Sequence, residues 1–239
     1  MPSEYRSTGS GPGPITPDGC AVEFYALVSE RGESQIVHEA AGPGASILEL
    51  GCGAGRVTRP LVALGHLVVA VDESADMLSH VTGAETVCSP IQTLSLGRHF
   101  DAVLLSSNLI NVPDDGVRAE LLAACRAHVA DTGSVIVQQH PPAWFEVAED
   151  RERTQDGIIL RTRDFTRPAP GLLSGTVEYV AGDRRWTQTF TARQLSEPAL
   201  TASLAQAGLR LDRYLTPDQG WFRAVPVPAD HTPADHTPR

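Results

Sequence analysis

The chain has 239 residues, 41% of them hydrophobic, enough for one α/β domain with additions around a real buried core. Its net charge of −10 disfavours duplex DNA, RNA or an anionic membrane as a partner, because phosphate binding needs positive charge. All 19 basic residues are arginine, which excludes Schiff-base chemistry on lysine and a Walker A phosphate loop.

Residues 1–17 are rich in Ser, Gly and Pro and read as a flexible lead. Asp18 is placed to cap a helix over 19–30, and a second helix is expected over 33–41. From there strands and helices alternate, with strands at 46–50, 67–71, 85–88, 100–106 and 134–139. Such alternation means parallel strands covered by helices. Pro113 and Asp114 open the clearest helix, through Val129. After Gln139 the pattern changes to consecutive strands at 158–165, 175–180 and 184–191, with Ala181-Gly-Asp183 as a hairpin turn. Residues of about 140–192 are therefore expected to form an antiparallel insertion. A helix over 197–207, closed by Gly208, and a hairpin of 209–215 with 221–225 complete the domain at about residue 226. Residues 227–239 carry the repeat Ala-Asp-His-Thr-Pro and read as a disordered tail, despite His231 and His236.

Ile47-Leu-Glu-Leu-Gly-Cys-Gly-Ala-Gly-Arg56 is the richest segment in chemistry: a buried strand, a glycine turn, then a helix. The glycines let the backbone turn tightly and let a ligand approach. Beyond them a helix start offers free N–H groups. Glu49 suits a nucleoside cofactor that carries an ammonium and would repel a diphosphate. A dinucleotide site needs Gly-x-Gly-x-x-Gly and an acid about 20 residues on. Asp72 meets the second condition, but Gly51, Gly53 and Gly55 are one residue too tight for the first.

This segment resembles motif I of the class I S-adenosylmethionine (SAM) dependent methyltransferases. Four further segments resemble the family in the same order: Leu67–Asp72, Asp72-Glu-Ser-Ala-Asp-Met77, Phe100–Ser106 and Ala130–Gln138. The resemblance covers about residues 17–226. It implies a Rossmann-like seven-stranded sheet with helices on both faces, SAM as cofactor and S-adenosylhomocysteine (SAH) as product. By the same resemblance Gly51, Cys52 and Gly53 pass under the methionine portion and ribose, with Gly55 completing the turn. Glu49 orients the amino end, Asp72 accepts the ribose hydroxyls with Glu73 beside it, and Met77 covers adenine unless it is a plain core residue. Ile91 gives apolar cover and Ser106 lies where carbonyls meet the amine. The family's acid after the third strand is missing, leaving Ser89, Gln92 or a backbone carbonyl to read the adenine amino group.

The acceptor side is expected on the N-terminal helix and the insertion. Glu23 and Tyr25 lie on the first, and His140 just past the fifth expected strand; Glu23 and His140 are candidate bases, Tyr25 a positioning group. Trp144, Phe145 and Trp186 form an aromatic wall for a flat acceptor or, alternatively, pack the insertion. The expected activity is methyl transfer to oxygen, nitrogen or an electron-rich carbon such as indole C3 of a small aromatic metabolite. The arginine bias and modest size resemble actinobacterial natural-product methyltransferases. A protein or RNA methyltransferase and a non-catalytic SAM-binding protein are the alternatives. The protein is expected to act as a monomer or homodimer on a small-molecule acceptor.

Cys20, Cys52, Cys88 and Cys125 form no Cys-x-x-Cys pair, and no histidine cluster has zinc spacing. A reduced, cytoplasmic protein without a metal is expected. No membrane span or secretion signal is read in the sequence.

Overall fold

The computed structural model describes residues 7–228. Seven strands form the central sheet: β2 (Ser46–Leu50), β3 (Leu67–Asp72), β4 (Glu85–Cys88), β5 (Phe100–Leu105), β6 (Val129–Gln138), β11 (Leu209–Tyr214) and β12 (Trp221–Pro226). Their order is β11-β12-β6-β5-β2-β3-β4. The pairs β4–β3, β3–β2, β2–β5 and β5–β6 are parallel, and β12 is antiparallel to both β6 and β11. Chain order runs outward from β2 through β3 to β4 and, on the other side, from β5 to β6, beyond which β12 is inserted inside β11. That reversal opens a crevice at the carboxyl ends of the strands, where open α/β sheets take ligands.

Side-chain alternation divides the core into two layers. Leu48, Leu50, Val103, Leu105, Val135 and Val137 face helices α5 (Asp115–His128) and α7 (Glu197–Gln206). Ile47, Ala102, Leu104 and Ile136 face α2 (Glu33–Ala41) and α3 (Thr58–Ala63). Asp114, expected to open α5, accepts from Gly116 N and Val117 N, and at α7 Ser196 accepts from Ala199 N.

A second sheet, order β1-β10-β9-β8-β7, forms a lid. Its strands are β1 (Gly9–Ser10), β7 (Arg151–Gln155), β8 (Ile158–Thr166), β9 (Leu172–Ala181) and β10 (Arg184–Arg193), all paired antiparallel. The short α6 (Pro142–Val147) leads into it.

Three expectations change. The N-terminal helix, α1, spans only Val22–Leu27. Gly19 at φ +87° and the Ile15↔Ala21 bridge hold the preceding residues as a tight turn, so Asp18 caps nothing. Residues 7–17, expected to be a flexible lead, include β1 paired to β10, and Trp186 Nε1 donates to Pro12 O at 2.9 Å. β6 starts at Val129, because the Ala130–Gly133 turn continues as strand across a register shift against β5. The repeat carrying His231 and His236 lies outside the described residues, as does most of the expected tail.

Candidate active site

At the carboxyl ends of β2, β3 and β5 lies a cavity of about 400 Å³. Its floor is the glycine turn. Gly51 N and Cys52 N both donate to Val71 O at 2.9 Å, which fastens the turn to the neighbouring strand. Gly51 has φ +71°, and a Cβ there would fall 2.8 Å from Leu109 Cδ1, so only glycine fits without a shift. Arg59 Nη1 donates to Ala54 O at 2.7 Å and braces the far side of the turn.

Asp72 ends β3 with each carboxylate oxygen holding one backbone donor. Gly53 N donates to Oδ2 at 2.8 Å and Ser74 N donates to Oδ1 at 2.9 Å. Burial raises its pKa above the usual carboxylate value, those two bonds oppose the rise, and the charge of Asp18 adds to it. Glu49 is 1% exposed. Burial pushes its carboxyl up to about 7; the Thr58 hydroxyl, donating at 2.6 Å, and the Arg56 charge pull it back only in part. Arg56 itself is paired with Glu33. The Cys52 thiol, buried beside Glu49 and Asp72, has a strongly raised pKa and stays neutral.

Of the residues expected at the cofactor, Glu49, Gly51, Cys52, Gly53, Asp72, Glu73, Met77, Ile91 and Ser106 line this cavity. Gly55 does not. Its φ of +78° turns the chain toward α3, and the space where a Cβ would stand faces Val81 and Arg59. Gln92 also lines the cavity, whereas the Ser89 hydroxyl donates to Pro90 O.

Further lining comes from the turn before α1, from α1 itself and from β10: Thr16, Asp18 and Cys20, then Tyr25, then Gln188. These side chains form one hydrogen-bonded network. Tyr25 OH donates to Gln188 Oε1 at 3.4 Å, and Gln188 Nε2 donates to Cys20 Sγ at 3.3 Å. Cys20 Sγ donates to Asp18 Oδ2 at 3.4 Å, and Thr16 Oγ1 donates to Asp18 Oδ1. Burial pushes the Cys20 thiol up to about 12 and raises the Tyr25 phenol well above its usual value, so both are neutral near pH 7.

The remaining expected residues lie elsewhere. Glu23 does not line the cavity; it pairs with Arg184 at 3.3 Å. The His140 ring stacks on Trp144 with centroids 3.9 Å apart, and burial pushes its pKa down to about 4. It is outside the cavity lining, and so weak a base suits general-base work poorly. Trp144 and Phe145 pack with Phe165, Phe190, Leu173 and Ala192. Trp186 is 1% exposed and packs with Phe24, Tyr179 and Ala21. The three aromatics pack into two lid cores, the alternative to an acceptor wall, because a sheet separate from the central one needs its own apolar filling.

Sequence reading missed Thr16, Asp18, Cys20, Arg56 and Gln188 as lining residues. Gln188 carried a signal: it stands between Trp186 and Phe190 on the inward face of β10, where a polar side chain needs a reason. Among the described residues, no group of three or more His, Cys, Asp or Glu could hold a metal ion.

Residues 47–133 match the family described as a methyltransferase domain. The cypemycin N-terminal methyltransferase of Streptomyces sp is 28% identical over 215 residues, covering 82% of this chain and 84% of that protein. A ubiquinone biosynthesis O-methyltransferase of Bradyrhizobium diazoefficiens is 29% identical over 114 residues, so this chain spans only 44% of that relative's length. Among solved structures, the SAM-bound amino pentose methyltransferase of Micromonospora echinaspora involved in calicheamicin biosynthesis superposes with a TM-score of 0.66. It is 20% identical, over 84% of this chain and 94% of that one, a likeness of fold. The match to a methyltransferase domain begins on β2 and takes in both the glycine turn and Asp72.

Proposed function

We propose that this protein transfers the SAM methyl group to nitrogen or oxygen of a small metabolite, in natural-product biosynthesis. One observation carries the reading: a single cavity has the glycine turn and Asp72 on one wall and a polar, neutral-to-acidic network on the other. The two groups that a methyl transfer must bring together thus have adjoining seats.

The residues present fit the cofactor. Gly51 and Gly53, on either side of Cys52, offer a floor without side chains for the methionine portion and ribose. Asp72 keeps acceptor capacity on both oxygens after its two backbone bonds, which suits a pair of ribose hydroxyls. Glu49, raised to about 7 in a buried setting, gains its missing counter-charge from an ammonium, directly or through water. Met77 and Ile91 supply apolar cover for adenine, Gln92 is positioned for its amino group, and Glu73 and Ser106 close the rim. When bound, SAM supplies a methyl group on a cationic sulfur, transferred in line to a nucleophile. The chain's own contribution is to hold the acceptor against that methyl and to keep water out. Tyr25, a neutral phenol whose O–H is given to Gln188, keeps oxygen lone pairs that can accept a hydrogen bond from the methyl acceptor and orient it.

The relatives include an O-methyltransferase and an N-terminal methyltransferase, and the structural neighbour acts on an amino pentose, so both atoms are represented among them. The flat aromatic or indole acceptor has less support, since Trp144, Phe145 and Trp186 fill the lid cores. Four free cysteines suit a reducing, cytoplasmic setting. No helix among the described residues is long and apolar enough to cross a membrane.

Calorimetry tests the cofactor assignment. SAH is expected to bind and NAD not to bind. Asp72→Ala should weaken SAH by about 1.5–3 kcal/mol, the scale of lost charge-assisted hydrogen bonds. Unchanged affinity in that variant removes Asp72 from the site, and absence of SAH binding removes the whole reading.

A further inference from the structure

We propose that the nucleophile is an amine, delivered as an ammonium that Asp18 receives at the cavity mouth. The inference rests on the methyltransferase reading and narrows it to one acceptor class.

Charge on the cavity wall is one-sided. Asp18, Glu49, Asp72 and Glu73 line it, against a single arginine, Arg56, whose guanidinium is paired with Glu33. An acceptor bearing carboxylate or phosphate near its reacting atom meets repulsion there, and a cation meets attraction. The three other acids are already engaged at the floor and rim of the cofactor half. Among the described residues that line the cavity, Asp18 is the acid contributed by the turn before α1; it is exposed to solvent, and its charge reaches Asp72.

The rest of that wall fixes how Asp18 is presented. Thr16 donates to one carboxylate oxygen and Cys20 to the other, which sets the plane of the group and leaves further lone pairs on each oxygen. Tyr25 and Gln188 complete the network with neutral donors and acceptors. This array can grip the polar carrier of an amine while the carboxylate holds its charge. It contains no histidine and no thiolate, hence no strong base of the kind a phenol or indole N–H would need.

The chemistry balances without a further reactant. The ammonium gives one proton to water at the exposed side of Asp18, and the neutral amine moves in from the carboxylate that held its charge. The nitrogen lone pair then forms the N–C bond as the S–C bond breaks, with its electron pair left on sulfur as a neutral thioether. The methylated amine regains a proton on release.

The test uses the full chain saturated with SAM and matched pairs that differ only at the nucleophile. The pairs are glucosamine with glucose, tyramine with tyrosol, and a short peptide with a free or an acetylated N-terminus. SAH release is followed for each. We expect turnover with amine members and none with their twins. Asp18→Asn keeps the acceptor oxygen for Thr16. It should raise KM for the amine roughly fivefold or more, the scale of an exposed ion pair, with SAH affinity within about twofold of wild type. It should also shift the rise of kcat/KM with pH, and Asp18→Glu should restore much of both. Preference for the hydroxyl twins, or SAH binding without turnover of any amine, overturns the proposal. A fall in SAH affinity in Asp18→Asn also overturns it, by moving Asp18 to the cofactor. If wild type binds no SAH, the underlying methyltransferase reading has failed, and that result is read separately by calorimetry before any acceptor is added.

Discussion

On the floor of the cavity the ligand-facing groups are backbone and strand-end carboxylates, fixed by parallel pairing of β2 with β3 and β5. On the wall around Asp18 they are side chains from one turn, the short helix α1 and one lid strand, joined to each other by hydrogen bonds of 3.3–3.4 Å. The floor is held by register, which no single side chain can alter. The wall is held by a satellite core, Phe24, Tyr179 and Trp186, that is separate from the main layers. A site can thus keep a constant cofactor half beside an acceptor half whose chemistry rests on few atoms.

The largest expected effect separates the two supports. Trp186→Ala should cost about 3–5 kcal/mol of stability, by opening a cavity in the lid core and removing the bond to Pro12. Denaturant titration measures it, and a loss below about 1 kcal/mol would mean that the lid is not held this way.

The next effect belongs to the floor. In the folded, ligand-free protein Glu49 keeps its proton up to about pH 7, whereas in the unfolded chain it ionises near the ordinary value. Between those values the folded state binds more protons, so stability falls as pH rises through that window and is greatest below it. The contribution is up to about 3 kcal/mol. Glu49→Gln should flatten that part of the pH–stability curve while weakening SAH. Equal slopes in the two proteins would show that Glu49 ionises freely.

The smallest effect sharpens the boundary of the acceptor wall. His140→Ala should leave kcat within about threefold of wild type, far from the 10²–10⁴-fold of a lost general base. A hundredfold loss in steady-state turnover would put His140 back among the reacting groups.

The floor was legible because its physics is periodic. Leu48 and Leu50 alternate with Ile47 and Glu49, and the glycines and Asp72 occupy fixed places relative to strand ends. β7 was not legible: Arg151-Glu-Arg-Thr-Gln155 is exposed throughout and shows no apolar alternation. Asp18 was misread for a related reason. An aspartate just before a helix looks like a cap, and only the left-handed Gly19 turns it toward the cavity instead. Trp144, Phe145 and Trp186 were correctly seen as belonging to the lid region. Which way a ring faces depends on strand partners that no local pattern reveals, as when Trp186 meets Tyr179 across the β9–β10 pair.

Gln188 sits on a strand whose two edges are both occupied, by β1 and by β9. Those backbone bonds would be the same for any residue at that place. A lineage that exchanged Gln188 for another side chain would therefore inherit the strand and its pairing, and would alter the side-chain bonds to Tyr25 and Cys20 and what that wall offers the cavity. In descent, such a position is where one enzyme becomes two.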